Sequence, residues 1–331
     1  MNMKAAKLYP GKFEVIDASI PKIKDKEVLI RIKYCGICGS DLNIYRKDPP
    51  IPKYWPGHEI SGIVEDSAPG STFKKGENVV IKPLITCGTC DYCRMGEENF
   101  CKDYLFVGIN YPGGFAEFIS VPEKVVYKLK TSQALECGAL LEPLSCAYHA
   151  LTRFPIKDTD NILVVGAGVQ GLLSVLLLKK HFKIKNVDIV YKYEHQRKMA
   201  SEFGANNTIA YKDPQTNQYD VIIESVGGNG ESFQKAIIWS KPMGKIVLLG
   251  TCYANPQINT KLITEKQLTV YGSHRYTTSD FEKTLVISNR INNELLALIT
   301  HRFTLKDIEA AFTVAFNKEK EKAIKVLIFN N

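Results

Sequence analysis

No apolar run in the sequence is long enough to cross a bilayer, and the first twelve residues contain no apolar core followed by a small-residue cleavage site. We therefore expect no membrane-spanning segment and a cytoplasmic location. Internal repeats and low-complexity segments are also missing. What remains is a chain of 331 residues, with 45% apolar and 24% charged residues. That composition is globular, and the length favours two domains.

Dense basic runs with interleaved aromatic residues are missing as well, although the formal net charge is +8. The lysines are spread along the whole chain, which argues against a nucleic-acid-binding surface. A mildly basic surface that attracts anionic cofactors or substrates is the simpler interpretation. We therefore expect a small-molecule partner rather than nucleic acid.

Three zones follow one another along the chain. Residues 1–128 are predicted to be β-rich, because short apolar runs alternate there with Gly and Pro. Residues 129–272 alternate strands and helices, which predicts a parallel sheet covered on both faces. Residues 273–331 contain a helix near Leu305 to Ala315 and a final strand, Ala323 to Phe329. This third zone is too short to stand alone, so we expect it to fold back onto the first.

The strand candidates of the middle zone are Ile162 to Val165, Val187 to Tyr191, Val221 to Glu224, Ile246 to Leu249 and Leu268 to Tyr271. A G-x-G-x-x-G turn follows the first of them and opens a predicted helix that extends to about His181. Alone the pattern is weak, and a glycine-rich turn without a ligand is the alternative, but this context is the one that a dinucleotide site requires. The glycines permit close approach of a pyrophosphate at the helix N-terminus. The predicted cofactor contacts are Gly166, Gly168, Val169, Gln170, Gly171 and Gly250.

The residues after the second of these strands bear on the choice between NAD and NADP. An acidic residue there usually binds the ribose 2′-hydroxyl of NAD. This sequence has Lys192, which suits a 2′-phosphate, and Arg197 could assist from the following helix. We therefore predict that NADP(H) is favoured over NAD(H). The alternative is that Lys192 faces solvent and that Glu194 or Asp188 binds the ribose.

Four of the nine cysteines are clustered, at Cys87, Cys90, Cys93 and Cys101. An odd total in a chain without a secretory signal favours thiols or metal ligands over disulfides. Four thiolates can close a tetrahedron around Zn²⁺ with no open position, which predicts a structural zinc ion. An iron–sulfur cluster and unligated thiols are the alternatives, although a tetrahedral four-sulfur site favours zinc here. Residues 87–101 are called the four-cysteine loop below.

Cys38, His58, Glu59 and Glu142 are dispersed candidates for a second metal site. One Cys, one His and a carboxylate, with one position left vacant, is the way a catalytic zinc site is built. Taken singly, each residue has a structural interpretation, such as a core thiol or a loop histidine. Their joint occurrence with a dinucleotide fingerprint favours the catalytic one. Cys35 and Cys38 also form a C-x-x-C pair, but no thioredoxin-like unit surrounds it.

With these motifs in this order, the sequence resembles the zinc-containing medium-chain alcohol and polyol dehydrogenases, which include sorbitol, threonine and galactitol-phosphate dehydrogenases. The resemblance covers nearly the whole chain. It rests on Gly36 to Asp41, Gly57 to Glu59, the four-cysteine loop, Gly113 to Glu117, Glu142 to Ser145, Gly166 to Gly171 and Thr300 to Phe303.

The resemblance implies a fold and an assembly. Residues 1–128 and 273–331 would form a GroES-like β-barrel catalytic domain, and residues 129–272 a Rossmann domain inserted into it. The active site would lie in the cleft between the two domains. Such enzymes are usually dimers or tetramers, so a homodimer or a homotetramer is expected.

The resemblance also implies the chemistry of the site. Zinc would act as a Lewis acid on the substrate oxygen, with hydride passing between the substrate and the nicotinamide. Cys38, His58 and Glu142 match the family's ligands. Glu59 matches a position that is a ligand in some members and a neighbour in others, so the two carboxylates could exchange or act through water.

Two further residues concern the proton that leaves the substrate hydroxyl. Ser40 matches the hydroxyl that relays this proton in the family. Many members have a His three residues later, where this sequence has Asn43. Because Asn cannot act as a base near neutral pH, the outer relay must use water, a ribose hydroxyl or another side chain.

The predicted substrate is a polyol or sugar derivative. Glu142, rather than Cys, resembles the polyol and sugar-type members of the family. Tyr45, Arg275 and Tyr276 fall where substrate contacts occur in sorbitol-type enzymes. A polar pocket for a hydroxylated alcohol or its ketone is therefore the favoured interpretation.

Three alternatives remain open at this stage. A simple secondary alcohol could be the substrate, or the chain could be a non-catalytic nicotinamide-binding zinc protein such as a redox sensor. A nucleic-acid-binding zinc protein would leave the glycine-rich turn without a purpose. Arg46, Lys47 and Lys53 could receive a phosphate or carboxylate, although solvated charges are the simpler interpretation.

Overall fold

The computed structural model describes residues 2–46, 53–130, 134–213, 218–252 and 255–331. The chain divides into two compact units. The first consists of Met1–Glu142 together with Phe281–Asn331, and the second of Pro143–Asp280. Across the described ranges, no helix has both the length and the apolar character that crossing a membrane would require. The predicted site residue Lys47 lies outside the described residues.

The described segments contain strands and helices in both units. The strands are β1 (Asn2–Tyr9), β2 (Lys12–Ser19), β3 (Glu27–Gly36), β4 (Glu59–Ser67), β5 (Asn78–Ile81), β6 (Leu84–Ile85), β7 (Leu105–Phe106), β8 (Phe118–Pro122), β9 (Val126–Lys128), β10 (Asn161–Val165), β11 (Asn186–Tyr191), β12 (Asn207–Ala210), β13 (Tyr219–Glu224), β14 (Ser240–Leu248), β15 (Thr269–Gly272), β16 (Ile299–Thr304) and β17 (Lys325–Phe329).

The α-helices are α1 (Gly39–Arg46), α2 (Asp91–Arg94), α3 (Ala134–Gly138), α4 (Leu141–Thr152), α5 (Val169–Leu176), α6 (Glu194–Glu202), α7 (Glu231–Trp239), α8 (Thr260–Glu265), α9 (Thr278–Ser288), α10 (Asn292–Leu298), α11 (Ile308–Phe316) and α12 (Lys318–Glu321). Short 3₁₀ segments lie at Glu98–Phe100, Glu123–Val125 and Leu305–Asp307, and a π-helical turn at Leu177–His181.

The first unit is built on a mostly antiparallel sheet of order β16-β17-β3-β4-β5-β9, with β8 paired to β3. The end of the chain thus joins the sheet of the first zone, as predicted, because β17 pairs with β3. Its core contains apolar side chains from β3, β4, β8 and α11, including the fully buried Ile30, Ile60, Ile119 and Phe312.

The second unit is built on a parallel sheet of order β12-β11-β10-β13-β14-β15. Residues 162–165 of β10 are fully buried, as expected for a central strand covered on both faces. The predicted parallel sheet is confirmed. The edge strand β12 was not predicted, because Asn207-Thr208-Ile209-Ala210 contains no apolar run. The helical stretch after β10 extends to His181, as predicted, because a π-helical turn continues α5 beyond Leu176.

The second unit begins and ends later in the sequence than the predicted zone 129–272. The second unit begins later than predicted because α3 packs on β3, β4 and β5 and therefore belongs to the first unit. A Cβ atom at Gly138 of this helix would lie 2.7 Å from the Cβ atom of Ser61. Such close packing ties the segment to the antiparallel sheet, a contact that periodicity does not reveal.

Candidate active site and metal sites

Two neighbouring strands of the first unit bring three candidate metal ligands together. Gly36 at the end of β3 pairs with Glu59 at the start of β4, and the chain then turns through Cys38 into α1. One ligand atom from each of Cys38, His58 and Glu59 lies within 4.8 Å of the others. His58 and Glu59 are buried, and Cys38 is half-buried. A thiolate, an imidazole and a carboxylate in this arrangement fit zinc.

Asp41 in the first turn of α1 supports this ligand set. One of its carboxylate oxygens accepts the Cys38 N–H at 2.9 Å, and the other lies 3.7 Å from Nδ1 of His58. A carboxylate behind one ring nitrogen is the usual support of a metal-binding histidine. Burial lowers the pKa of His58, but Asp41 and Cys38 raise it, and the net pKa lies well above the ordinary value. The imidazole therefore lies among negative charges that a divalent cation would also neutralise.

Glu59 has a second partner, Lys325 of β17. Both side chains are at most 2% exposed, and the ammonium group forms an ion pair with the Glu59 carboxylate. The same ammonium donates to the Ile37 carbonyl at 3.0 Å. A Cβ atom at Gly36 would collide with the Glu59 carboxylate, so glycine is required there. Glu59 thus lies between a candidate metal position and a fixed positive charge.

Glu142 and Cys35 are two further ionisable groups near this cluster. Glu142, in the first turn of α4, is buried and raises the pKa of both His58 and Lys325, so its carboxylate lies within electrostatic reach of the ligand set. Burial raises the pKa of the Cys35 thiol well above its ordinary value. Cys35 and Cys38 are both free thiols, and Cys38 belongs to the candidate ligand set while Cys35 is fully buried.

The four cysteines of the four-cysteine loop converge at a second place. The distances between sulfur atoms are 3.5 Å for Cys87–Cys101, 3.5 Å for Cys90–Cys93 and 3.9 Å for Cys87–Cys93. A tetrahedron with Zn–S bonds of about 2.3 Å has edges of about 3.8 Å, so the four sulfur atoms fit a zinc ion. The N–H groups of Thr89 and Cys90 point at the Cys87 sulfur and lower its pKa to about 6.

Cys101→Ser should remove one of two zinc ions per chain and leave turnover within about tenfold of the wild type. The loop holds few buried side chains, and Tyr92, Met95 and Phe100 are exposed. Metal ligation is therefore its main constraint, and its loss should expose the loop to proteolysis. Zinc analysis and limited proteolysis measure this, with Cys252→Ser, an exposed cysteine outside both clusters, as the control. Unchanged zinc content in Cys101→Ser would contradict the site.

The glycine-rich turn of the second unit has the shape that a dinucleotide needs. Gly166 has a φ of 101°, which only glycine adopts readily, and a Cβ atom at Gly171 would collide with the Gly166 carbonyl. A Cβ atom at Gly168 would meet nothing within 4 Å, so the backbone is open to a ligand where α5 begins. Val169 and Gln170 form the first turn of that helix. These features fit a pyrophosphate.

Glu224, at the end of β13, was missed by the sequence analysis. Its side chain is fully buried and accepts hydrogen bonds from the N–H groups of Val226 and Gly227 and from the Ser232 hydroxyl, at 2.7–2.9 Å. The loop that it fixes packs on the glycine-rich turn, because the Ser225 hydroxyl donates to the carbonyls of residues 165 and 166. The predicted contact Gly250 also adjoins this loop, and a Cβ atom there would collide with the Gly227 amide. The sequence feature that could have indicated Glu224 is its position as an acidic residue at the end of an apolar strand.

The residues that bear on NAD or NADP lie around the end of β11. Lys192 is exposed, and its ammonium group lies 5.3 Å from the Tyr193 ring centroid. Arg197 is paired with Glu194 at 2.6 Å. Asp188 is engaged by the Asn207 amide groups and the Tyr219 hydroxyl. Both acids proposed as ribose ligands in the alternative interpretation therefore already have protein partners.

The predicted substrate residues have varied environments. The Tyr45 hydroxyl donates to Glu309 at 2.9 Å, and its ring packs against Phe13 and Phe312. Burial and Glu309 raise the pKa of Tyr45 to about 12. Tyr276 is 1% exposed, and Arg275 has a φ of 55°. The assignment of these three residues to the substrate stays a prediction.

Comparison with known proteins agrees with this geometry. Residues 24–131 match the family model of the alcohol dehydrogenase GroES-like domain, and residues 171–289 match that of the zinc-binding dehydrogenases. The chain is 32% identical over 327 residues to the L-threonine 3-dehydrogenase of Coxiella burnetii, covering 93% of this chain and 94% of that protein. It is 31% identical over 341 residues to the uncharacterized zinc-type alcohol dehydrogenase-like protein YdjJ of Escherichia coli, covering 97% and 96%.

Solved structures show the same fold. The galactitol-1-phosphate dehydrogenase of Escherichia coli has a TM-score of 0.85 at 27% identity and full coverage of both chains. An alcohol dehydrogenase of Escherichia coli CFT073 in complex with NADH has a TM-score of 0.89 at 27% identity, with 99% of each chain covered. A zinc-binding dehydrogenase of Sinorhizobium meliloti 1021 bound to NADP has a TM-score of 0.88 at 26% identity over the whole of both chains.

Fold and site together define an oxidoreductase that acts on CH–OH groups. The chain belongs to the zinc-containing medium-chain alcohol and polyol dehydrogenase family, which combines a GroES-like domain with a Rossmann-like parallel sheet. The predicted family and fold are confirmed. Sequence reasoning assigned no role to Asp41 or Lys325. The sequence feature that could have indicated Lys325 is its position within the otherwise apolar run Ile324 to Ile328.

Proposed function

We propose that this chain oxidises a secondary hydroxyl of a polyol or sugar derivative, and reduces the ketone in reverse, with NADP(H) favoured over NAD(H). The observation that carries the proposal is the convergence of Cys38, His58 and Glu59 within 4.8 Å beside the buried Glu142. Cys38, His58 and a glutamate would hold a zinc ion, which when bound supplies Lewis acidity that lowers the pKa of a substrate hydroxyl. A second zinc ion would be structural, in the four-cysteine loop.

The residues around the ligands would have distinct duties. Asp41 orients His58, and Lys325 together with Glu142 fixes how much negative charge the ligand set presents. Ser40 lies in the first turn of α1, two residues after Cys38, where its hydroxyl can accept the substrate proton and pass it on. Asn43, one turn later, can orient water but cannot take up a proton. By analogy with the family, the protein is proposed to form a homodimer or a homotetramer. Analytical ultracentrifugation measures this oligomeric state.

Ser40→Ala should lower kcat by about 100-fold, the usual size of a contribution from positioned proton transfer, while the affinity for the nucleotide is unchanged. Steady-state kinetics and NADPH fluorescence titration separate the two effects. Ser67→Ala, a hydroxyl at the far end of β4, is the matched control. Turnover of Ser40→Ala within about threefold of the wild type would remove Ser40 from the proton path.

Lys192→Ala should lower kcat/KM for NADP by about tenfold or more and leave that for NAD nearly unchanged. An exposed lysine without an acidic partner beside a 2′-phosphate contributes about 1.5–3 kcal/mol as a charged hydrogen bond. The measurement is kcat/KM for both nucleotides. Lys198→Ala, an exposed lysine on the following helix α6, is the control. A wild-type preference for NAD would contradict the proposed cofactor choice.

A substrate panel read by nicotinamide absorbance tests the proposed function directly. The panel contains polyols, sugar phosphates, aldonates and simple secondary alcohols, each with both nucleotides and with the zinc-loaded protein. We expect the highest kcat/KM for a hydroxylated substrate. Preference for a simple secondary alcohol would contradict the proposed substrate class but not the reaction. No turnover of any alcohol, with zinc and NADPH bound, would favour a non-catalytic role.

A further inference from the structure

Two positive side chains of the first unit lie on elements that pack at the end of α11, Arg46 on α1 and Lys318 on α12. Arg46 is the last residue of α1, and its guanidinium carbon lies 4.2 Å from the ring centroid of Phe316, the last residue of α11. Lys318 follows two residues later and begins α12. Because α1 packs on α11, residues that are far apart in the sequence are brought to one place.

No acid of the described residues neutralises either positive charge. Among the described residues, Arg46 and Lys318 form no ion pair. Glu309, the acid of α11 that reaches α1, is occupied by the Tyr45 hydroxyl and the Phe13 N–H. As far as the described residues extend, an anion from outside the chain can therefore bind the two cations without displacing an acid.

Lys318 is also electrostatically connected to the candidate metal site. Its side chain is half-buried, and its pKa is lowered by burial and by the neighbouring cations Lys325 and Arg46, whereas the Cys38 thiol raises it. Lys318 therefore shares the electrostatic environment of Cys38 and of Lys325, the lysine that binds Glu59. Like charges gathered in a half-buried place are unfavourable unless an anion joins them.

We propose that Arg46 and Lys318 form an anion subsite, which binds a phosphate or carboxylate group of the substrate while the hydroxyl to be oxidised lies at Cys38, His58 and Glu59. This inference rests on the proposed function. The helix α1 separates Cys38 from Arg46 by about 12 Å, a distance that an extended sugar phosphate or aldonate can span. The guanidinium can bind two oxygens of one anionic group, and the ammonium adds a point charge.

A purely structural explanation accounts for only one of the two residues. Arg46 ends a helix and stacks on Phe316, and both contacts stabilise a cation without any ligand. Lys318 has neither arrangement, and it lies beside two other cations. An anionic ligand accounts for both residues together, and it also suits the basic character of the chain.

The test compares matched pairs of substrates that differ only in the anionic group: sorbitol with sorbitol 6-phosphate, and galactitol with galactitol 1-phosphate and galactonate. In Lys318→Met and in Arg46→Gln, kcat/KM for the charged member should fall by about 10–100-fold, mainly through KM, as expected for a lost charged hydrogen bond. For the neutral polyol it should change less than about twofold. Lys320→Met, an exposed lysine of the same helix, should resemble the wild type for both.

The phosphate and carboxylate arms identify which anion the subsite prefers. Equal losses for charged and neutral substrates would show that Arg46 and Lys318 are structural and would overturn the subsite. A wild-type enzyme that prefers the neutral polyol would overturn it as well.

Failure of the proposed function gives a different result from failure of the subsite. If no polyol, sugar phosphate or aldonate is oxidised, the proposed substrate class is wrong. The subsite is then measured with inorganic phosphate, by calorimetry on zinc-loaded protein saturated with NADPH. Binding to the wild type and to Lys320→Met, but not to Lys318→Met, would support the subsite. No phosphate binding to the wild type would overturn it.

Discussion

His58→Ala should reduce kcat by about 1000-fold or more and leave one zinc ion per chain instead of two. Lewis-acid stabilisation of the developing charge contributes several kcal/mol, and each 1.4 kcal/mol corresponds to about tenfold in rate. His58 is buried between Asp41 and Cys38, so no other imidazole can replace it without rearrangement of β4. Single-turnover kinetics and metal analysis of the purified protein measure both quantities.

Two further variants separate metal loss from general damage. Asp41→Asn should have a smaller effect, about 10–100-fold on metal affinity or activity, because Asp41 is not a ligand itself but supports the ligand His58. His181→Ala, which removes a half-buried histidine packed on Tyr148 and Phe182, should keep both zinc ions. If His58→Ala retained two zinc ions per chain, the ligand assignment would be wrong.

Lys325→Met should lower the free energy of unfolding by about 3–5 kcal/mol. Removal of one partner from a fully buried ion pair leaves the other charge without compensation. The Glu59 carboxylate is buried, so water cannot solvate it in place of the ammonium group. The loss should be largest in zinc-free protein, because zinc can then no longer neutralise the carboxylate. Chemical denaturation of the zinc-free and zinc-loaded protein measures the difference.

A double variant and a surface pair make this test specific. In Lys325→Met/Glu59→Gln no charge remains unpaired, so most of the lost stability should return. Lys4→Met breaks an exposed ion pair with Asp17 and should cost less than about 1 kcal/mol. If Lys325→Met were no more destabilising than Lys4→Met, the buried pair would have no special role.

Local patterns were sufficient to predict much of the candidate site. The G-x-G-x-x-G turn and the four-cysteine loop are short segments. The spacing of their residues in the sequence is therefore enough to predict that these residues lie close together. The strands of the parallel sheet were predicted within a few residues, apart from β14, which begins at Ser240, and the edge strand β12. The buried run at residues 162–165 shows why, since a strand covered on both faces must be apolar throughout.

Contacts between distant segments were beyond such patterns. Lys325 and Glu59 are 266 positions apart, by subtraction of their numbers, and meet only because β17 pairs with β3 beside β4. Arg46 stacks on Phe316, two residues before Lys318, only because α1 packs on α11. The hydrogen bond from the Tyr45 hydroxyl to Glu309 is a third such contact, and the assignment of Tyr45 to the substrate stays a prediction.

The sequence by itself determined the family and the parallel sheet, and it predicted the candidate metal ligands, because these depend on residue types in short motifs that follow one another in a fixed order. Only the tertiary structure decided how the buried and clustered charges are compensated. Lys325 pairs with Glu59, Glu224 accepts hydrogen bonds from the loop beside the glycine-rich turn, and Arg46 and Lys318 pair with no acid among the described residues. The physical reason is that electrostatic energy depends on distance and burial, and strand pairing and helix packing set both between residues that the sequence keeps far apart.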